Sequence, residues 1–391
     1  MTPIKTGLDR FGELEWRRFA GTRLGLLSNQ ASVDSRLKHA RDIISEYLPD
    51  GLRVLFGPQH GYGGADQDNM VETDHDVDPH LGIPIYSLYS DTREPSAEMF
   101  ELIDVLIIDL QDVGTRVYTF ASTMLNCLKA CSRFSKKVVI LDRPNPLGGE
   151  RVEGNLLKPE FFSFVGPYSL PMRHGLTMAE MAQLFKAVYD LDLDLEVIPL
   201  EGWHRCMSWR ETGLRWIMPS PNMPLPETAE VYPGQIIWEG TNLSEGRGTC
   251  RPFEMFGAPF IDPYELKRSL DTRSLTGCYL QEITFKPTFH KWSGLLCQGL
   301  MIHVLDFEDF CPYFTSISIL REIIKLYGDL FQWKQPPYEY EYDRLPIDLI
   351  LGDDGLRKSI EKGEDMETIR AKYFHKADEF LKKQEAYLLY G

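Results

Sequence analysis

Long apolar runs, paired cysteines and an excess of basic residues are all missing from these 391 residues. No segment approaches the roughly 18 uninterrupted apolar residues that a membrane-spanning helix needs. The opening MTPIKTGLDRFGELEWRRF carries charge throughout and lacks the apolar core of a secretory signal, so a cytoplasmic location is expected. Lys and Arg total 42 against 58 Asp and Glu, and the formal charge of -16 disfavours nucleic acid and anionic membranes as partners. The seven cysteines, at 127, 131, 206, 250, 278, 297 and 311, form no CxxC pair and no regular spacing, which reads as reduced thiols. No Gly-rich turn follows the first predicted strand and no GxxxxGKS/T occurs, which excludes the two common nucleotide-binding turns. The Asp/Glu/His mixture of residues 65 to 80 fits neither an EF-hand loop nor HExxH. It is expected to be a mobile lid, and neither a metal nor a cofactor is expected.

The composition, with 43% hydrophobic, 12% aromatic and 26% charged residues, is that of an ordinary globular protein. Apolar runs LGLLSN, LRVLFGP, IPIYSLY, DVLIIDL, KVVILDR and LEVIPL alternate with the helical patterns RLKHARDIISEYL, TFASTMLNCLKACSRF and TMAEMAQLFKAVYD. Thr177 and Glu180 open the last of these as a capping box. Such alternation marks a parallel sheet covered by helices. Beyond about residue 200 it weakens: IIWEG, EITFKP and LLCQGLMIHVL read as strands, and Asp262, Pro263 and Glu265 cap a helix. ISILREIIKLYG reads as a second helix and roughly the last 25 residues as an amphipathic third. The expected fold is α/β: a Rossmann-like parallel-sheet domain over residues 1–200, and a smaller α+β domain over 201–391 that completes a cleft.

In open parallel sheets ligands dock where strands end. The predicted exits carry Asn29, Gln30, Gln59, His60, Tyr89, Arg93, Asp109, Asp112, Arg116, Asp142, Arg143 and Asn145, which would share one polar rim. Turn chemistry explains any single one of these, Asn145 in particular. Five successive exits bearing amides or charges point instead to a ligand rich in hydroxyl, acetamido and carboxylate groups, such as a modified sugar. In GPQHGYGG, Gly61, Gly63 and Gly64 would let a sugar ring approach the main chain. A second concentration lies within residues 219–254, where Glu239, Asn242, Glu245, Arg247 and Arg251 supply carboxylates and cations; the alternative there is a solvated loop closed by ion pairs. His174, in PMRHG, is either a proton carrier or a hydrogen-bonded structural group. Tyr118, Arg173 and Asn222 complete the candidate binding set.

Together GPQHG, IDLQDVGTRVYT, LDRPNPLGG, FVGPYSLPMRHGLTMAE, PSPNMP and EGTNLSEGRGTCRPFEMFGAPFID closely resemble the bacterial exo-β-N-acetylmuramidases. The resemblance runs from about residue 20 to the C-terminus. It implies a cleft between a Rossmann-like domain and a smaller one, and release of terminal N-acetylmuramic acid from peptidoglycan fragments. Members of that family carry PEHG with a proposed catalytic Glu; here the position is Gln59, and an amide cannot exchange a catalytic proton. Under an enzyme reading, Glu239 or Glu245 with Asp112 takes over the acid/base work, with Gln59 and His60 beside them. Under a binding reading, the protein senses or carries the sugar without hydrolysing it.

Overall fold

The computed structural model describes residues 3–67, 70–271 and 275–391. Seven strands make the larger sheet: β1 (Leu24–Ser28), β2 (Leu52–Gly57), β3 (Asp76–Val77), β4 (Pro84–Ser87), β5 (Val105–Asp109), β6 (Lys137–Leu141) and β7 (Leu195–Ile198). They lie in the order β3-β4-β2-β1-β5-β6-β7, all parallel except the two-residue edge strand β3. Without β3 the order is that of the Rossmann fold, with its switch point between β1 and β5. β1 and β5 are buried along their whole length because helices cover both faces, which is why they read as continuous apolar runs. Each of the six apolar runs forms the strand it predicts, and Thr177 and Glu180 form the expected capping box of helix Met178–Val188.

The C-terminal half holds a three-stranded antiparallel sheet, in which β10 (Cys297–Val304) lies between β8 (Met255–Ala258) and β9 (Cys278–Phe285). IIWEG is not a strand. Ile236–Gly240 is a 3-10 turn continuing helix Pro226–Gln235, and its five residues are all buried. An apolar run buried on every side has no periodicity by which to tell strand from helix. The C-terminal segment is not one helix either: Met366–Ile369, a wider turn at Arg370–Phe374 and Ala377–Lys383 follow one another.

One hydrophobic cluster runs through both halves, from Leu27 and Val54 beside the sheet to Ile317, Ile347 and Phe380. Arg116 reinforces it. Its guanidinium, 1% exposed, donates to the carbonyls of Asn155 and Leu170 from one half and of Ile350 and Leu351 from the other, at 2.8 to 3.0 Å. Arg116→Met should remove four buried hydrogen bonds, although the Leu170 and Leu351 carbonyls keep the Leu157 N–H and the Asn155 amide, and a buried group left unpaired costs about 1–3 kcal/mol. A chemical-denaturation curve is expected to show a loss of more than ~3 kcal/mol; a loss below ~1 kcal/mol would show that the clamp is not structural.

Candidate active site

The Rossmann switch point is closed by the chain itself. Asn29 donates its amide to the Pro219 carbonyl at 2.7 Å, and Gln30 donates to that of Met218. Arg143 forms a two-point ion pair with Asp109 at 2.5 and 2.9 Å and also reaches the Val33 carbonyl. The cleft lies further along the sheet edge, over the exits of β2 and β4. Gln59 and His60 from the β2 exit, Tyr118 to Phe120 at the start of helix Phe120–Arg133, and Val165 form one wall. Ser220, Asn222, Met223, Tyr232, Glu239, Arg247, Phe253, Tyr338 and Glu339 form the other.

Gln59 crosses this cleft. Its carbonyl accepts the Thr119 hydroxyl at 2.6 Å, and its amide nitrogen donates to Oε1 of Glu339 at 3.0 Å. Tyr89, just beyond β4, donates its hydroxyl to Oε2 of the same carboxylate at 2.7 Å. Burial pushes Glu339 above the ordinary carboxylate range despite these two hydrogen bonds, with the neighbouring Glu239 adding to the rise. Tyr338 and Glu341 exchange both backbone hydrogen bonds, so Glu339 and Tyr340 are the central pair of a two-residue turn. Both have positive φ, 45° and 68°, the type I′ signature that Asn-Gly normally supplies. The turn is held from outside by Arg93, stacked on the Tyr340 ring, and by the Tyr340 hydroxyl on Glu72.

Glu239 lines the same wall as Glu339. Arg247 pairs with its Oε1 at 2.5 Å, and Tyr338 donates to its Oε2 at 2.7 Å. Burial alone would raise this carboxyl, but Arg247 and these hydrogen bonds hold it below the ordinary range. Arg247 also faces Glu245 at 3.2 Å. Glu245 is fully buried behind it, and Lys291 at 2.8 Å and His290 at 3.1 Å join Arg247 in holding it well below the usual carboxylate range against burial.

Of the residues expected on the rim, Gln59, His60, Tyr118, Asn222, Glu239 and Arg247 line this cleft, and Tyr89 reaches it through Glu339. The rest serve elsewhere. Asp112 accepts from the Gly114 backbone and faces His174 at 3.2 Å; because His174 Nδ1 accepts from Leu176 N–H, its proton sits on Nε2, toward Asp112. Asn145 bridges Leu147 and Leu176 as turn chemistry would have it, and Arg173 donates to the Leu147 carbonyl. Asn242 ties Leu330 to Gln332, and Arg251 pairs with Glu254. The glycines after His60 serve the turn: Gly61 and Gly64 have positive φ, and a Cβ on Gly64 would overlap the Gln30 side chain. In the stretch expected to be a lid, Asp68 and Asn69 lie outside the described residues. The described remainder is tied down, with the Gln67 carbonyl accepting from Asn222 and Thr73 N–H donating to the Tyr89 carbonyl.

Two family models cover nearly the whole chain: Exo-beta-N-acetylmuramidase NamZ, N-terminal, over residues 24–227, and its C-terminal counterpart over 230–390. The chain belongs to the NamZ family. It is 39% identical over 387 residues to the peptidoglycan beta-N-acetylmuramidase NamZ of Bacillus subtilis, spanning 99% of this chain and 91% of that one. Two crystal structures of DUF1343 family proteins from Bacteroides fragilis share the fold. One has a TM-score of 0.88 and 31% identity, with complete coverage of both chains. The other has a TM-score of 0.75 and 27% identity, covering 100% of this chain and 99% of that one.

Within this family member, sequence reasoning missed Glu339, Tyr338 and Thr119. The signal for the first two was PPYEYEYD, a run of alternating Tyr and Glu in a segment with no helical or strand period. Lys291 and His290 were missed as well, because a partner to a buried carboxylate is invisible until the fold brings it near. Arg247→Met would strand Glu239 and Glu245 as buried carboxylates short of a cation, at about 3–5 kcal/mol. Both carboxyls are depressed in the native state, so they stabilise it above roughly pH 4 and lose that contribution as pH falls through their folded values. Denaturation across pH 2 to 7 is therefore expected to show a lower plateau and a flatter acid limb for the variant. An unchanged limb would show that Arg247 does not hold these groups ionised.

Proposed function

We propose that this chain is a glycoside hydrolase that releases terminal N-acetylmuramic acid, or a related amino sugar, from peptidoglycan fragments. The observation that carries the reading is the pair of carboxyls lining one cleft, Glu239 held below and Glu339 above the ordinary range. Two carboxyl groups with acidities pushed apart are what glycosidic cleavage uses, one to donate a proton and one to stay ionised. The walls suit the sugar. Tyr118, Phe120, Tyr232, Phe253 and Tyr338 offer apolar faces, while Ser220, Asn222, His60 and Arg247 offer polar groups for hydroxyl, acetamido and carboxylate oxygens. His60 Nδ1 donates to the Asp66 carbonyl, which fixes the ring's orientation in the wall.

The family relationship supports the same reaction class, and a role in cell wall recycling accords with it. The buried thiols Cys127 and Cys131 agree with a cytoplasmic setting, and among the described residues no helix is long and apolar enough to cross a membrane. One observation favours a second reading: Gln59 occupies the place of the expected acid, as it would in a protein that binds the sugar without cleaving it. Incubation with 4-nitrophenyl β-N-acetylmuramide and with muramic-acid-terminated peptidoglycan fragments separates the two. Release of free N-acetylmuramic acid, identified by mass spectrometry, is expected; binding of that sugar with no turnover of any glycoside would establish the sensor instead.

A further inference from the structure

We infer that Glu339 is the general acid of this cleft, and that Gln59 and Tyr89 are positioning residues that aim it. The inference rests on the hydrolase reading above and adds the residue that performs the proton transfer. Its first support is contact: among the described residues no carboxyl side chain but Glu339 is bonded to Gln59, the position where an acid is expected and an amide stands. The amide is oriented. The Thr119 hydroxyl occupies its carbonyl, so its N–H group faces Glu339 Oε1, while Tyr89 occupies Oε2. A carboxylate has about four acceptor sites, so two remain, and one of them can carry the acid proton into the cleft.

The second support is backbone strain. Non-glycine residues at positive φ are strained and persist where the surroundings over-determine them. Here two in succession, Glu339 and Tyr340, are fixed by Met70, Tyr89, Arg93 and Glu72 so that a carboxyl 5% exposed enters a polar cleft. The groups around it are Gln59 and His60 from the β2 exit, Tyr89 from the β4 exit, and Glu239, Arg247, Tyr232 and Tyr338 on its own wall. Burial, then the Glu239 charge, favour its protonated form over the opposing pull of Arg247.

In the step this permits, the Glu339 proton passes to the glycosidic oxygen, and the bond from that oxygen to the anomeric carbon breaks with its electron pair staying on oxygen. The leaving sugar departs as an alcohol. A water oxygen then bonds to the anomeric carbon, and the proton that water gives up returns to the cleft carboxyls, which restores the Glu339 acid.

Glu339→Gln tests this. The variant keeps the shape, and its amide can still accept from Gln59 and donate to Tyr89, so folding and binding of free N-acetylmuramic acid should survive. Turnover of a muramic-acid-terminated disaccharide should fall about 10²–10⁴-fold, and that of the 4-nitrophenyl glycoside, whose leaving group needs less protonation, by much less. The alkaline limb of the pH profile should disappear. The double variant Gln59→Glu with Glu339→Gln, which moves the acid across the hydrogen bond, should recover part of the lost activity. Equal losses on both substrates with an unchanged pH profile would overturn the assignment, as would Glu339→Gln activity within threefold of the unmodified protein. Absence of turnover by the unmodified protein on every glycoside would overturn the hydrolase reading and this assignment with it.

Discussion

The hydrogen bond from Gln59 to Glu339 joins the edge of the parallel sheet to the tight turn of the C-terminal half, and the cleft takes its shape from it. A second carboxylate at position 59 would face Glu339 at hydrogen-bond distance, where two like charges cannot both be ionised and must share a proton. An amide removes that conflict. It is a donor at every pH, so the proton of the pair has one place to reside. Seen this way, the amide does not empty the site of acid chemistry; it concentrates that chemistry on one side of the contact.

Deeper in the same wall a different problem is solved. Glu239 and Glu245 are both buried, and isolated buried carboxylates would take up protons and become neutral. Arg247 stands between them, and Lys291, with three acceptors at the Trp238 and Leu243 carbonyls and Glu245, supplies the second positive charge. Two carboxylates and two cations leave this group near neutrality. Glu245 is thereby screened from the cleft by the guanidinium it holds, whereas Glu239 meets the cleft directly. The acidities of the two cleft carboxyls diverge for this reason: Glu239 has a cation on it, whereas the donors to Glu339, Gln59 and Tyr89, are neutral.

What was legible in the sequence follows from how local each signal is. Strand and helix periodicity depends on neighbours a few residues apart, so the six strands and the capping box at Thr177 could be read from the chain, whereas the order of the strands is set by contacts between distant segments. IIWEG misled because its apolar residues are buried all round and carry no period. At the cleft, Gln59, His60, Glu239 and Arg247 stood out by residue type at a strand exit or in a glycine-rich loop. The arginines did not separate: Arg116, Arg143 and Arg247 look alike in sequence, and only the fold shows the first spent on carbonyls, the second on Asp109 and the third on cleft carboxylates. Glu339 was hidden for a related reason. It lies 280 positions from its partner Gln59, in a segment without a catalytic motif, and its significance is a property of the contact.

That contact also explains why the turn at Glu339 and Tyr340 tolerates a conformation better suited to Asn-Gly. A glycine there would relax the backbone but would leave Gln59 N–H and the Tyr89 hydroxyl facing an unfilled cleft, each a buried donor that costs about 1–3 kcal/mol when unpaired. The strain of the turn and the satisfaction of those donors are therefore of similar size, and the carboxyl can be held in an awkward place at little net cost. Tyr340 extends the same logic outward, since its ring packs against Tyr89 at 5.6 Å and under Arg93, so the outer face of the turn is fixed by aromatic and cationic contacts while the inner face is fixed by hydrogen bonds. A carboxyl gripped from both sides is held on Gln59 and Tyr89 while Arg247 pairs with Glu239, and the two acidities are thereby kept apart in the same small cleft.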